Sequence, residues 1–394
     1  MQDAAETLVG KREISPLGNA VLEPSTNGGL TDLAECGFLK PVSTCPEQTQ
    51  KDDRPVNGSS PARRVTMHDV ARHAGVSKAS VSRFIGEDRG LLSEGIAQRI
   101  EAAIASLGYR PNQMARGLKR GRTRLIGMLM ADIRNPYSIA VMHGVETACR
   151  QHGYSLVVCN TDRDPDQEAR QLEALHAYNI EGLIVNTLGR HPEQLRALQS
   201  DMPIVLVDRK LEALGTDLVG LDNAGAVNMA IEHLLEQGYR DLALVMEPAE
   251  GASSRSERRA AFDAVVSSSA GVRGHVMQTG PDLQGALARF LGARDHGPMA
   301  VFCANGVAAL ATTFALREAG ARLFDDVGLI ALDDLDWYPL VGSGITALAQ
   351  PTDAIGRTAF DCLVRRLRGD PGPDRQIDLP AQLVVRGSTP RQRS

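Results

Sequence analysis

Lys78, Ser82 and Arg83 fall on one side of a short helical pattern, offering an ammonium, a hydroxyl and a guanidinium to one surface. Donors so arranged suit base edges and phosphates in a DNA major groove, which is ~12 Å wide and admits one α-helix. A second set of polar side chains stands just behind apolar runs further along. Asn135, Tyr137 and Ser138 follow LIGMLMA, Asp208 and Arg209 follow PIVLV, Asn305 follows VFCA, and Asp333 follows GLIAL; Arg258 lies in the helical pattern SSRSERRAAF. In parallel α/β sheets, ligands bind beyond the carboxyl ends of strands, so these positions are candidates for a small-molecule site. Each also has a plainer reading: Asn135-Pro136 as a helix cap, Asp208-Arg209 as an ion pair, Asp333 as a strand terminus. No GxSxG elbow, P-loop or metal-spaced cluster accompanies them, so the set points to binding rather than catalysis, with no cofactor or metal.

The elements that must hold the first set are legible in VTMHDVARHAGVSKASVSRFIG, residues 65–86. Thr66 is placed to cap a helix, with Asp69 three residues on completing a capping box. Val70, Ala71 and Ala74 recur at helical spacing. Gly75 stands where the chain must reverse and needs positive φ. Ser77 then caps a second helix carrying Lys78, Ala79, Ser80, Ser82 and Arg83, with Val81 and Ile85 as its buried pair. A third helix opens at Ser93, with Ile96, Ile100, Ala103, Ile104 and Leu107 as one stripe, ended by Gly108 and Pro111. The basic segment PNQMARGLKRGRTR, residues 111–124, follows. Ala115, Arg116 and Leu118 fit one short helix there, and Leu118, flanked by Arg116 and Lys119, suits an apolar wedge in a minor-groove step. Asn112 joins this set as a DNA-contact candidate.

The chain carries 43 Lys/Arg and 48 Asp/Glu, a formal net charge of −5, but the charge is divided. Residues 61–124 hold 13 basic and 5 acidic side chains, whereas residues 1–60 hold 5 and 9 and the remainder 25 and 34. A basic head on an acidic body predicts salt-sensitive phosphate binding confined to the head. No run of 18 apolar residues and no secretory leader stands out, and the six cysteines lack CxxC or zinc spacing. These features predict a cytoplasmic protein without membrane spans, its cysteines reduced. Residues 1–60 are rich in Pro, Gly, Ser, Asn and Thr without periodicity, so they are expected to be disordered, either as a flexible arm or, the favoured reading, because the true start codon lies downstream.

From Leu125 the chain alternates apolar strands (LIGMLMA, SLVVCN, GLIVN, PIVLVD, LALVM, MAVFCA, VGLIAL) with amphipathic helices near 137–152, 166–179, 224–237 and 307–319. This alternation predicts parallel sheets covered by helices on both faces, in two Rossmann-like subdomains with a cleft between them.

VTMHDVARHAGVSKASVSR, LGYRPNQMARGLK and RLIGMLMADIRNPY together resemble the LacI (lactose-repressor) family of transcription regulators, and the resemblance runs from Val65 to about Arg386. It implies an all-α helix-turn-helix headpiece (61–110), a hinge (111–124) and an α/β periplasmic-binding-protein-like core (125–394). The chain would cross three times between an N-subdomain (about 125–220 and 345–375) and a C-subdomain (about 221–344 and 376–394). By the same resemblance Lys78, Ala79 and Arg83 read bases, Leu118 intercalates with Ala115 beside it, Arg258 holds the effector, Asp333 accepts its hydroxyls and Tyr137 contacts it. One departure is Asn305-Gly306, where the family often has Asn-Asp, so one polar support is expected to be missing.

Residues 333–351, with GLKRGRTRLIGMLMADI and HGVETACRQHGYSLVVCN, are similar to the branch of pseudomonad repressors of 2-ketogluconate utilisation. That implies a repressor, dimeric at least, released from operator DNA by a sugar acid such as 2-ketogluconate. A polyhydroxy acid needs hydrogen-bonding carboxylates, an aromatic platform and a cation, roles open to Asp333, to Tyr137 or Trp337, and to Arg258 or Arg209. A corepressor-type regulator differs only in the sign of the ligand effect. A sugar-binding transport receptor would share the two-lobed fold but not residues 65–124.

Overall fold

The computed structural model describes residues 65–110, 122–292 and 297–392. Residues 1–60, Asn112, Ala115, Arg116, Leu118 and Lys119 lie outside them.

The headpiece is three helices: α1 (Met67–Ala74), α2 (Lys78–Ile85) and α3 (Glu94–Leu107). Thr66 and Asp69 form the reciprocal capping box, with the Thr66 amide donating to Asp69 Oδ2 at 2.9 Å. Gly75 turns the chain at φ +63°, a conformation that costs glycine nothing because it has no Cβ. Ser77 Oγ accepts from Ser80 N at 3.1 Å and starts α2. The core joins Val70, Ala71 and Ala74 of α1 to Val81 and Phe84 of α2 and Ile100 and Ala103 of α3. The expected pair Val81 and Ile85 is corrected here: Phe84, three residues after Val81, is the fully packed partner, and Ile85 is only half-buried. Spacings of three and four both return to one helix face, and the larger ring filled it.

The core of the protein is two six-stranded sheets. The first runs β11-β5-β4-β3-β1-β2, from strands β1 (Leu125–Met130), β2 (Ser155–Asn160), β3 (Gly182–Val185), β4 (Ile204–Val207), β5 (Asp217–Leu221) and β11 (Gln376–Leu379), all parallel. Helices α4 (Pro136–Gln151) and α11 (Thr352–Leu367) cover one face, burying Val141, Val145 and Phe360. Helices α5 (Pro165–Ala177) and α6 (Pro192–Gln199) cover the other with Leu172, Leu175 and Leu195. The second sheet runs β12-β10-β9-β8-β6-β7, from β6 (Asp241–Met246), β7 (Arg273–Gln278), β8 (Met299–Cys303), β9 (Gly328–Leu332), β10 (Thr346–Ala349) and β12 (Gln382–Val384). Only β12 is antiparallel. Its faces are covered by α7 (Asn223–Glu236) with α8 (Ser253–Ser268), and by α9 (Leu283–Gly292) with α10 (Gly306–Glu318). β3, β4, β6, β8 and β9 are buried throughout, which is why they read as continuous apolar runs rather than alternating ones.

The chain passes between the sheets after β5, after β10 and after β11. The subdomain boundaries expected near 345 and 376 are corrected by the ladders. Residues 346–349 pair in parallel with β9 and belong to the second sheet, while residues 376–379 pair with β5 and belong to the first. A four-residue apolar run shows that a strand exists but not which sheet edge it joins.

In the first lobe α4 and α11 cross glycine to glycine. A Cβ on Gly144 would stand 2.5 Å from the Asp353 carbonyl oxygen, and one on Gly356 would strike the backbone of Val141 and Val145. Cys149, Cys303 and Cys362 are buried free thiols and Cys159 is half-buried. Burial pushes the Cys149 thiol up to about 12. Among the described residues no helix is long and apolar enough to cross a membrane.

Candidate functional site

On the headpiece, Ser77, Lys78, Ala79, Ser82 and Arg83 are exposed along one face of α2, and Ser80 is half-buried beneath them, its hydroxyl 2.9 Å from that of Ser77. The opposite face is anchored by Val81 and Phe84. Thr66 is exposed, but its hydroxyl is engaged with Asp69 at 2.6 Å. The helix therefore presents a cation at each end of a small, polar surface, the shape and chemistry of a groove reader.

In the core, the carboxyl ends of the two sheets face one another, and the strand-end residues converge there. Arg258, buried on α8, donates from Nε to Asn223 Oδ1 at 2.7 Å and from Nη1 to the Ala304 carbonyl at 2.9 Å. Its Nη2 stands 3.8 Å from Asp208 Oδ1, across the cleft at the end of β4. Asp208 has φ +66° and Asp333, at the end of β9, φ +72°. Non-glycine residues rarely adopt that region, and such strain is found where structure must aim a side chain. Asp208 accepts from Asn186 Nδ2 at 3.3 Å and lies 3.7 Å from Arg209 Nε. Arg209 reaches the Thr187 carbonyl at 3.3 Å through Nη1, while its buried Nε has no hydrogen-bond partner.

Asp333 is buried and accepts from Gly306 N at 2.8 Å and Gln350 Nε2 at 2.5 Å. Burial raises its carboxyl above the ordinary carboxylate range, only partly offset by the Gly306 bond, Arg258 and Gln350. The Tyr137 hydroxyl is buried without a hydrogen-bond partner. Burial raises its ionisation well above the phenol range, the Asp208 and Asp333 charges raise it further, and Arg258 and Arg209 oppose them. All five side chains thus share one electrostatic neighbourhood.

Other expected positions turn out differently. Asn305 caps α10 by accepting from Ala308 N at 2.8 Å, and its Nδ2 donates to Glu247 Oε2 at 2.8 Å, so its polar atoms are engaged within the protein. Asn135 caps α4 in the same way. Among the described residues no polar contact ties Ser138 or Trp337 to the cluster. Ser138 is buried in the first turn of α4, and Trp337 packs on the second lobe's core, edge-on to Tyr338 at 4.6 Å. At Gly306 the backbone amide holds Asp333 Oδ2 at 2.8 Å. A side chain there would meet Leu335 at 2.5 Å and crowd Asp333 Oδ2 at 3.3 Å.

Sequence reasoning missed Glu247, the first residue after β6. It accepts from Arg163 of the first lobe at 2.5 Å, from Arg255 at 2.6 Å and from Asn305, joining the lobes. The strand-end rule that singled out Asp208 and Asp333 would have found it. Arg163, three residues past β2 with φ +62°, carried no such signal.

A family model described as "Bacterial regulatory proteins, lacI family" matches residues 66–112, and one described as "Periplasmic binding proteins and sugar binding domain of LacI family" matches residues 123–384. The chain belongs to the LacI family. Among LacI-family relatives, the HTH-type transcriptional regulator PtxS of Pseudomonas aeruginosa is 65% identical over 336 residues, 85% of this chain and 99% of the relative. The HTH-type transcriptional regulator KdgR of Bacillus subtilis is 39% identical over 82% of this chain and 97% of its own length. The lac repressor dimer bound to operator and the anti-inducer ONPF shares the fold, with a TM-score of 0.72 at 23% identity over 83% of this chain and all of that one. The transcriptional regulator CelR, solved as its cellobiose complex, gives a TM-score of 0.60 at 26% identity, covering 82% of this chain and 100% of that one. This LacI-family chain is a DNA-binding transcription regulator, not an enzyme, with an effector-binding core behind its headpiece.

Proposed function

We propose that this regulator is a dimeric, cytoplasmic repressor released from its operator by a sugar acid, with 2-ketogluconate as the effector. The observation that carries the reading is the orphaned Tyr137 hydroxyl, buried among Asp208, Asp333, Arg209 and Arg258. A buried hydroxyl without a partner costs about 1–3 kcal/mol, a cost that a ligand hydroxyl or carboxylate removes. Arg258, already fixed through Nε and Nη1, has Nη2 left to meet a carboxylate, and Arg209 offers a second cation. Asp208 and Asp333 accept the hydroxyls that a polyhydroxy acid presents. The resemblance of residues 333–351 to the 2-ketogluconate branch supports 2-ketogluconate as the acid.

Because the site draws on both lobes, the effector favours whichever lobe arrangement it binds better, and only that difference in affinity can move the headpieces. Two headpieces must meet major grooves about 34–36 Å apart, so a small change of spacing releases the operator. Lys78, Ala79 and Arg83 read bases, while the segment holding Ala115 and Leu118 opens the minor groove. Calorimetry of the full-length protein with 2-ketogluconate, followed by operator release in a mobility-shift assay, tests the reading. Binding that tightens the operator complex assigns the ligand as a corepressor, and no binding at millimolar ligand, or binding without effect on the operator complex, removes the effector assignment.

A further inference from the structure

At the mouth of the cleft four guanidiniums gather around one cavity. A cavity of about 160 Å³ there is walled by Arg163, Arg190, Arg209 and Arg255, with Glu250 as its one carboxylate. It adjoins a wider space of about 510 Å³ that shares Arg209 and Glu250 and adds Lys210. Three of the arginines follow β2, β3 and β4 of the first lobe, and the fourth stands in the first turn of α8 of the second. That helix end adds its own partial positive charge. The two lobes are stitched together around the cavity. The Lys210 amide donates to Ser253 Oγ at 2.7 Å, and a Cβ on Gly251 would stand 3.2 Å from the Leu188 carbonyl oxygen.

The cations are held in place from behind. Glu247 takes Arg163 and Arg255 at 2.5 and 2.6 Å, and Asp132 lies 3.2 Å from Arg163 Nε. Arg209 is 8% exposed, yet its Nε has no hydrogen-bond acceptor. Burial lowers the Arg255 guanidinium below its ordinary range, Glu247 opposes this, and repulsion from Arg209 and Arg163 adds to it. Crowded like charges with an unused buried donor are relieved by an anion, and a cavity several water volumes in size admits one.

We propose that this mouth is a second anion site of the phosphate class, adjoining the inner cluster at Arg258 and Asp333 and sharing Arg209 with it. A phosphate group carries about −1.5 to −2 charges near pH 7 and three acceptor oxygens, which four guanidiniums can share. The site therefore takes either free phosphate beside the sugar acid or the phosphate ester of a sugar acid spanning both clusters. The second form rests on the sugar-acid reading of the inner cluster; the site itself does not.

The test is calorimetry of the full-length protein with inorganic phosphate, 2-ketogluconate and its ester 2-keto-6-phosphogluconate, repeated on Arg190→Gln and Glu250→Gln. The expected results are measurable phosphate binding, at least tenfold weaker in Arg190→Gln and several-fold tighter in Glu250→Gln. An ester that binds at least tenfold tighter than the unphosphorylated acid identifies the ester as the source. Phosphate that instead tightens binding of the unphosphorylated acid identifies the free ion. If 2-ketogluconate fails to bind while phosphate binding still depends on Arg190, the sugar-acid reading falls and the second site stands. Phosphate and ester binding that ignore both substitutions, or no binding of either, overturn the site.

Discussion

Arg258 Nη2 and Asp208 Oδ1 face each other across the cleft at 3.8 Å, one from each lobe, too far for a hydrogen bond. The pair is close enough to attract yet open enough for a ligand atom to bridge it, while Asn223 and the Ala304 carbonyl keep the arginine from collapsing onto its partner.

Arg258→Ala is expected to remove the effector response and leave operator binding intact. Truncating one side of a buried charge pair costs about 2–5 kcal/mol of binding, so effector affinity falls at least thirtyfold. Calorimetry and a mobility-shift assay on the same preparation check both halves, and a retained response takes Arg258 out of the site.

Asp333→Asn separates function from stability. Burial raises the carboxyl in the folded state above its unfolded value, so its ionised form costs stability at neutral pH, and that cost is relieved as pH falls through the folded value. The asparagine still accepts from the Gly306 amide, and Gln350, whose Oε1 has no partner, can turn its amide to match. The urea midpoint at pH 7 should be equal or higher than in the unsubstituted protein, while effector binding is lost.

Glu247 behaves oppositely. Burial alone would raise its carboxyl, but Arg255, Asn305 and Arg163 outweigh burial and hold it below the ordinary range. Its stabilising contribution is complete above the unfolded carboxylate value and is lost as pH falls through the lower folded value. Glu247→Gln leaves Arg255 buried without its counter-charge and should cost about 3–5 kcal/mol, read by denaturation, with a flatter acid limb.

Gly356→Ala tests the crossing of α4 and α11. The new methyl meets backbone at Val141 and Val145, which cannot rotate away. Overpacking of this kind costs about 1–3 kcal/mol or more and should lower the melting temperature of the core without touching the headpiece.

Arg83→Ala should weaken operator binding by about 1–3 kcal/mol and relax specificity at one base position. Lys78→Ala should act likewise at its own base position, with little loss on non-specific DNA. Filter binding to operator and to non-operator DNA checks both.

Local chemistry made much of this legible in advance. Thr66, Asp69, Gly75 and Ser77 act through neighbours within a few residues, so the sequence alone determined the headpiece turn and its exposed basic face. The long buried strands announced themselves because both faces of a covered parallel sheet demand apolar side chains. The strand-end rule likewise singled out Tyr137, Asp208, Arg209 and Asp333, whereas Arg258, inside a helix, was marked by the family resemblance. Tertiary structure decided what depends on distant partners. It chose Phe84 over Ile85, moved residues 346–349 and 376–379 between sheets, and turned Asn305 into a cap for α10. It also set Arg163 against Glu247, which stand 84 positions apart in the chain. Hydrogen-bond ladders and ion pairs across such separations are fixed by which surfaces meet in space, and neither periodicity nor spacing along the chain encodes that meeting.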